Sequence, residues 1–227
     1  MELLWGALVA WGCGLDRVAV GQFLLSRPLV AAPLTGLLLG DPLVGLQIGV
    51  LIELLWLGRL PVGAAVPPDD TQVAIAATVM TLFLGRTLNA AGHEFLLLCV
   101  LMALPLGKVG QFSEHYARHY NMRLVGRVEQ ALEQGAVGLA ERQHLWGLLS
   151  FSLAALVSYV VILAGGLILV PLAWPLLQPI LNHSSEWLAL ALPLIGIAVV
   201  LGTINVSRAI TLFCAAFVMA FLLLWLV

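Results

Sequence analysis

Charged side chains are scarce in this chain of 227 residues. Asp, Glu, Lys and Arg make up only 10% of it, whereas hydrophobic residues make up 62%. Soluble domains carry about 25% charged and about 45–50% apolar residues, because polar groups must cover their surface. The composition excludes a water-soluble globule. It predicts an all-α integral membrane protein, since helices satisfy their own backbone polar groups in lipid.

Basic residues and paired cysteines are lacking as well. Ten Lys and Arg and a net charge of −2 provide no basic surface to neutralise phosphates, so no nucleic-acid partner is expected. Cys13, Cys99 and Cys214 are odd in number and far apart, which suits neither disulfides nor a metal site. No Gly-rich phosphate loop, Ser-His-Asp order or CxxC motif is present. We predict no metal, no cofactor and no catalytic residue; a part in an enzymatic reaction stays open.

Long uncharged runs occur only near the C-terminus. Residues 145–170, 187–207 and 209–227 contain no charged side chain. About 20 apolar residues cross a bilayer core as one helix. The range 145–227 is therefore predicted to form C-terminal transmembrane helices.

A series of prolines separates the first two of these runs. Pro171, Pro175 and Pro179 would each remove a backbone hydrogen bond from a straight helix. We therefore predict that residues 171–186 form an outer connection or a short interfacial piece.

Apolar runs in the first 107 residues are shorter. The run 29–40 ends at Asp41-Pro42, and a helix of 12 residues rises about 18 Å against a hydrocarbon core of about 30 Å. Short hydrophobic pieces interrupted by Gly or Pro are typical of broken or re-entrant helices around a substrate path. We predict this arrangement for 1–107, with an ordinary helical hairpin with irregular ends as the alternative.

A polar segment, residues 108–144, lies between the two parts. It holds five of the ten Lys and Arg, and the positive-inside rule places it in the cytoplasm. Phe112, Tyr116 and Tyr120 recur every four residues and so share one helical face. The segment is predicted to be an amphipathic helix at the inner membrane interface.

Glu53 stands within an otherwise apolar run. An ionisable group at membrane depth is costly unless it faces a cavity or a partner. A carboxylate accepts hydrogen bonds from two hydroxyls at once, which suits recognition of a polyol. A structural ion pair with Arg27 or Arg59 is the alternative.

Two aspartates stand where helices are predicted to begin. Asp69, after Pro67-Pro68, opens the pattern of a capping box for a helix at 71–85. Capping and ligand binding are compatible there, since a helix N-terminus in a membrane cavity offers free amide donors. Gly40-Asp41-Pro42 combine a C′ glycine, an N-cap and an N1 proline, and predict a helix stop followed by a restart.

The stretch from Arg27 to Asp69 resembles the mannose/fructose/sorbose-type IIC permease subunits of the bacterial phosphoenolpyruvate-dependent sugar phosphotransferase system. The likeness includes polar and proline sites at membrane depth, and a weaker likeness continues along the remaining chain. The positions that carry it are Arg27-Pro28-Leu29-Val30, Gly36, Leu39-Gly40-Asp41, Gly45, Ile48-Gly49, Glu53, Trp56-Leu57-Gly58, Pro61-Val62-Gly63-Ala64 and Pro67-Pro68-Asp69, then Gly110-Gln111, His144, Asn205 and Arg208.

The resemblance implies a multi-pass protein of the bacterial inner membrane that imports a hexose of the mannose, fructose or sorbose class for phosphorylation by IIB. The implied partners are a IID membrane subunit and cytoplasmic IIA and IIB phosphocarriers, and an oligomeric assembly is expected. The implied sugar-binding residues are Glu53 and Asp69, with Pro68 shaping the site and Asn205 as a further candidate.

Two other functions stay open. The last apolar run has Thr211-Leu212-Phe213-Cys214 where many relatives carry Phe-Phe and a later Gly. This departure is compatible with a non-transporting membrane scaffold that recruits soluble phosphotransferase proteins through residues 108–142. The membrane-embedded carboxylate is also compatible with an ion-coupled sugar transporter that needs no phosphate donor.

Overall fold

The computed structural model describes residues 1–58, 65–133, 135, 137–203 and 209–226. All regular secondary structure in these ranges is helical, which confirms the all-α prediction. The helices, in chain order, are α1 (Glu2–Val18), α2 (Pro28–Leu39), α3 (Pro42–Trp56), α4 (Asp70–Leu88), α5 (His93–Leu106), α6 (Lys108–Glu133), α7 (Val137–Thr203) and α8 (Ala209–Leu226).

Helix α4 forms the centre of the packed core. Thirteen of its 19 residues are buried, and it contacts α1, α2, α3, α5 and α7. The hydroxyls of Thr78 and Thr81 donate to carbonyls four residues earlier, at 2.8 Å each. These buried hydroxyls therefore need no partner from another helix, and α4 packs closely on all sides.

Among the described residues, three helical stretches are long and apolar enough to span a membrane: Asp70–Leu88, His93–Glu133 and Gly138–Ser184. The predicted span 145–170 lies within the third. The described residues of the other two predicted spans form shorter apolar helices, Glu186–Gly202 and Ile210–Leu223. The sequence pattern misses the span in α4, because Asp70 and Arg86 lie close to its two ends and interrupt the apolar run.

The prediction that residues 171–186 break the helix and form an outer connection or a short interfacial piece is wrong, because α7 continues through this stretch. Proline is tolerated in membrane helices where neighbouring helices and local adjustments satisfy the freed backbone groups. Here Trp174 packs edge-on against Phe95 of α5, with ring centroids 5.0 Å apart. The prolines therefore lie in a helix supported by a neighbour.

Helix α7 bends along its length. The 31 residue steps from Gly165 to Gly196 would cover about 46 Å in a straight helix. Gly165 packs against Leu106 at the end of α5, Gly196 packs against Leu54 in α3, and the last turn of α3 reaches the end of α5. These contacts bring Gly165 and Gly196 closer together than a straight helix allows. The bend lies in the stretch that carries Pro171, Pro175, Pro179 and Pro193, and proline is a common cause of helix kinks.

Helices α2 and α3 pack against each other as an antiparallel pair. Gly36, Gly45 and Gly49 bring the two backbones together, since a Cβ at any of them would meet main-chain atoms of the other helix or of the turn between them. Between the helices, Gly40 adopts a φ of 93°, and Asp41 accepts hydrogen bonds from the backbone N–H of the next helix. The predicted helix stop and restart is therefore confirmed, whereas a re-entrant course of the pair stays a prediction.

We expect Gly45→Leu to destabilise the α2–α3 pair. The added side chain would meet the backbone of Ala32 and Pro33, which cannot move aside as a flexible side chain would. Overpacking of this kind costs about 1–3 kcal/mol. Gly12→Leu is the matched control, because nothing lies within 4 Å of a Cβ there. Thermal unfolding in detergent should show a lower midpoint for Gly45→Leu only; equal midpoints would contradict the packing.

Helix α6 lies antiparallel to the first part of α7. The hydroxyls of Ser113 and Ser158 are 2.5 Å apart, and Ser150 donates to Asn121 Oδ1 at 3.0 Å. The predicted helix is thus present, and its position at the cytoplasmic interface stays a prediction. The predicted division of the chain at residue 144 falls inside α7.

Candidate functional site

A buried carboxylate binds two backbone N–H groups of the segment between α1 and α2. Asp16 is buried and accepts hydrogen bonds from the backbone N–H of Phe23 at 2.7 Å and of Ser26 at 3.0 Å. Within the segment, Gln22 and Leu24 adopt positive φ angles of 55° and 66°. Non-glycine residues adopt this conformation uncommonly, so Asp16 stabilises an unusual loop directly beside Arg17.

Arg17, near the C-terminal end of α1, is the centre of a buried ion cluster. Its Nη1 lies 2.9 Å from Asp69 Oδ1 and 2.5 Å from Asp70 Oδ1, and its Nε lies 3.7 Å from Glu114 Oε2. The side chains of Arg17, Asp69 and Glu114 are only 8%, 7% and 9% exposed. The cluster therefore joins α1, the N-terminus of α4 and α6.

Two further contacts complete the cluster. Arg118 donates to Glu114 Oε1 from Nε at 2.9 Å and from Nη2 at 2.7 Å. Thr71 accepts a hydrogen bond from Arg17 Nη1 at 3.2 Å and donates to the carbonyl of Ser26 at 2.6 Å. Two guanidinium groups thus face three carboxylates, and the α1–α2 loop is attached to the start of α4.

Asp69 both caps α4 and belongs to this cluster. Its Oδ1 accepts the backbone N–H of Gln72 at 3.1 Å, and its own N–H donates to the carbonyl of Gly107 at 3.1 Å. The predicted cap is confirmed. The reciprocal half of a capping box is absent among these contacts, because the Gln72 side chain donates to the carbonyl of Ala10 instead. Gly110 packs so closely on Asp69 that a Cβ there would clash.

Pro68 immediately precedes this cap. Residues 65–69 are described without helix or strand, which is typical of a stretch that contains adjacent prolines. The carbonyl of Val66 accepts a hydrogen bond from Gln111 Nε2 at 2.6 Å. The connection is therefore attached to α6, the same helix that contributes Glu114.

Glu53 lies apart from the Arg17 cluster. Its Oε1 is 3.4 Å from Arg27 Nη1, and its Oε2 accepts the backbone N–H of Leu29 at 3.4 Å. The Glu53 side chain is 15% exposed and that of Arg27 is 32% exposed. Of the two structural partners weighed for Glu53, Arg27 is in contact, whereas Arg59 lies outside the described residues. A role in sugar binding stays a prediction.

The other candidate positions are structural or undescribed. Asp41 accepts the backbone N–H of Leu43 at 3.1 Å and of Val44 at 3.2 Å, which is the predicted N-cap. Asn205 and Arg208 lie outside the described residues. Among the residues that the structure describes, no group of three or more His, Cys, Asp or Glu could hold a metal ion.

A polar cavity of about 450 Å³ lies beside the ion cluster. Small-molecule sites are commonly clefts of about 300–1,000 Å³, so its volume suits a small ligand. Glu53 and Asp69 do not line it, but their partners Arg27 and Arg17 do. The lining residues are Asp16, Arg17, Val18, Gln22, Leu24, Ser26, Arg27, Asp70, Thr71, Glu114 and Arg118.

Arg17 is the main site residue that sequence reasoning missed. In the sequence, Asp16-Arg17 only marks the end of the first apolar run, and its partners follow 52 and 53 residues later. The available signal was the unmatched pair Asp69-Asp70. Two adjacent carboxylates beside a membrane helix require a cation, and only packing shows which arginine supplies it.

The sequence of this chain is similar to a known family of membrane proteins. The family model described as "PTS system sorbose-specific IIC component" matches residues 1–226. The mannose-specific EIIC component of Escherichia coli (strain K12) is 30% identical over 128 residues, which are 56% of this chain and 45% of that protein. The sorbose-specific EIIC component of Lacticaseibacillus casei is 35% identical over 115 residues, 51% of this chain and 37% of that protein. The chain thus matches less than half the length of these relatives.

Two solved structures are similar in fold. A membrane protein structure aligns with a TM-score of 0.73 and 23% identity, covering 96% of this chain and 85% of that chain. The mannose transporter ManYZ in complex with microcin E492 aligns with a TM-score of 0.62 and 22% identity, with the same coverages. At this identity, the likeness concerns the arrangement of the helices.

Proposed function

The chain belongs to the family of sorbose-specific IIC components of the sugar phosphotransferase system, and from this premise we propose that it is a membrane subunit that carries a hexose inward. The sugar belongs to the mannose, fructose or sorbose class and is phosphorylated by a IIB protein at the inner face. The working assembly includes a IID membrane subunit and cytoplasmic IIA and IIB phosphocarriers in the bacterial inner membrane. Relatives named for mannose and sorbose support this substrate class.

The polar cavity in an otherwise apolar helical protein carries the proposal. A sugar that leaves water loses many hydrogen bonds, and each unpaired polar group costs about 1–3 kcal/mol. A conducting protein must therefore offer polar groups along the path. The structure places carboxylates, guanidinium groups, hydroxyls and an amide around one cavity of about 450 Å³, which supports a polyol as the ligand.

The residues proposed for sugar contact are Glu53 and Asp69, with Pro68 shaping the connection. Glu53 is held by a long ion pair of 3.4 Å with Arg27, so a hydroxyl could replace this contact at little cost. Asp69 is more tightly engaged by Arg17 and by its cap. Glu53 is therefore the better placed of the two for a ligand, and Asn205 remains a candidate outside the described residues.

Uptake of labelled sugar tests the proposal. Membrane vesicles that hold this chain, a IID subunit and soluble IIA and IIB proteins are loaded with phosphoenolpyruvate and supplied with mannose, fructose or sorbose. We expect uptake that requires both the chain and phosphoenolpyruvate. Uptake that persists without phosphoenolpyruvate but collapses with the ion gradient would indicate an ion-coupled transporter. Binding of the soluble proteins without uptake of any sugar would indicate a scaffold.

A further inference from the structure

The cavity beside Arg17 is far more polar than an internal packing defect. Nine of its eleven lining residues are charged or polar. By contrast, a cavity of about 570 Å³ between α7 and α8 is lined by eleven apolar or aromatic residues. Ligand sites combine a concave shape with a few convergent polar groups, so the cavity beside Arg17 has the features of a binding site.

The charges around this cavity are balanced. Asp16, Asp70 and Glu114 line it together with Arg17, Arg27 and Arg118. Each guanidinium is already paired: Arg17 with Asp69 and Asp70, Arg27 with Glu53, and Arg118 with Glu114. With three carboxylates against three guanidinium groups, the lining offers no excess positive charge to attract a free phosphate or a carboxylate. The cavity therefore suits a neutral ligand with many hydroxyls.

Hydrogen-bonding capacity remains at the cavity wall. Both hydrogen bonds to the Asp70 side chain use Oδ1, from Arg17 Nη1 and from the backbone N–H of Thr71, which leaves Oδ2 for a hydroxyl. Arg17 is 8% exposed at its side chain, and its buried Nε has no hydrogen-bond partner among the described residues. This Nε faces Glu114 Oε2 at 3.7 Å and is closed to the cavity, so Asp70 Oδ2 is the group left for a ligand hydroxyl.

The predicted cytoplasmic position of α6 would place the cavity within reach of a soluble protein. Glu114 and Arg118 belong to α6, the segment that the positive-inside rule assigns to the cytoplasm. We propose that this cavity holds the sugar at the inner face, with Asp70 and Gln22 as its hydrogen-bonding residues. This inference rests on the proposed function and adds the residues and the side of the membrane.

Two measurements test the cavity. In the uptake vesicles described above, Asp70→Asn should raise the KM for sugar about tenfold, since a hydrogen bond to a charged group is lost. Asp41→Asn is the matched control, because Asp41 is an N-cap carboxylate of α3 that does not line the cavity, and its KM should be unchanged.

The second measurement does not depend on the ion cluster. Gln22 is exposed, so Gln22→Cys should fold normally, and it is made in a Cys214→Ser background because Cys13 and Cys99 are buried. Mannose, fructose or sorbose should slow maleimide labelling of the introduced thiol severalfold, and inorganic phosphate should not.

The outcomes separate this inference from the proposed function. Normal uptake with unchanged labelling and an unchanged KM for Asp70→Asn would overturn the cavity site and leave the proposed function intact. Protection by inorganic phosphate alone would overturn it in favour of an anion site. Absence of both uptake and protection for every sugar would overturn the proposed function together with the inference.

Discussion

Replacing Arg17 with methionine should destabilise the protein by about 3–5 kcal/mol, the usual cost of removing one partner from a buried ion pair. The variant would leave Asp69 and Asp70 without their cation, although the Asp69 side chain is only 7% exposed. Methionine preserves much of the side-chain volume, so the effect reports the charge rather than a cavity. Thermal unfolding of the detergent-solubilised chain, followed by tryptophan fluorescence, measures the loss.

Arg86→Met is the matched control for this experiment. Arg86 also forms an ion pair, with Glu2, but its side chain is 54% exposed. Exposed pairs contribute about 0–1 kcal/mol, so the control should unfold close to the wild-type midpoint. Similar midpoints for the two variants would show that the Arg17 cluster does not hold α1, α4 and α6 together.

A second substitution distinguishes the ion cluster from simple packing. If Arg17→Met acts by leaving carboxylates unpaired, then adding Asp70→Asn should recover part of the stability, because one uncompensated charge is removed. If the effect comes from lost contacts of the long side chain, the double variant should be no more stable than Arg17→Met. The sign of this coupling follows from a double-mutant cycle on the same unfolding measurement.

Local features of this fold were predictable from short stretches of sequence. Gly40-Asp41-Pro42 predicted a helix stop and restart, and Asp69 predicted a cap, because both depend on residues within one helical turn. The Arg17 cluster was not predictable in this way. Its members come from α1, the start of α4 and α6, which are distant in sequence, and only tertiary packing brings them together.

The proline series led to a wrong prediction, because tertiary packing outweighed the local preference of proline. Pro171, Pro175 and Pro179 predicted an interruption, yet α7 continues through them. Local rules for proline assume that the lost hydrogen bond is not replaced, whereas packed membrane helices accept such positions with a bend. The contacts of Gly165 and Gly196 with α5 and α3 indicate such a bend. The prolines thus shape the path of the helix rather than end it.

The glycines in the family-like stretch have a structural explanation. Gly36, Gly45 and Gly49 lie where the backbones of α2 and α3, or the turn between them, meet. Small residues allow membrane helices to approach closely. These positions therefore support the helix pair on which Glu53 and Arg27 are placed. Part of the resemblance thus reflects packing, whereas Glu53 does not take part in these close contacts and needs a functional test.

Glu53→Gln should raise the KM for sugar uptake about 10- to 100-fold if the carboxylate accepts a sugar hydroxyl, since hydrogen bonds to charged groups contribute about 1.5–3 kcal/mol. Glutamine keeps the size of the side chain and removes its charge. The measurement is the concentration dependence of phosphoenolpyruvate-driven uptake. Glu2→Gln, the same change in the exposed pair with Arg86, should leave the KM unchanged.

The pair with Arg27 gives a competing explanation that thermal unfolding can separate. If Glu53 serves only to pair with Arg27, then Glu53→Gln and Arg27→Met should lower the unfolding midpoint equally, and the double variant should lower it no further. The KM of Glu53→Gln would then stay at the wild-type value. With ligand binding, the KM rises far more than the stability falls, because the ion pair is long, at 3.4 Å, and partly exposed and therefore contributes little to folding.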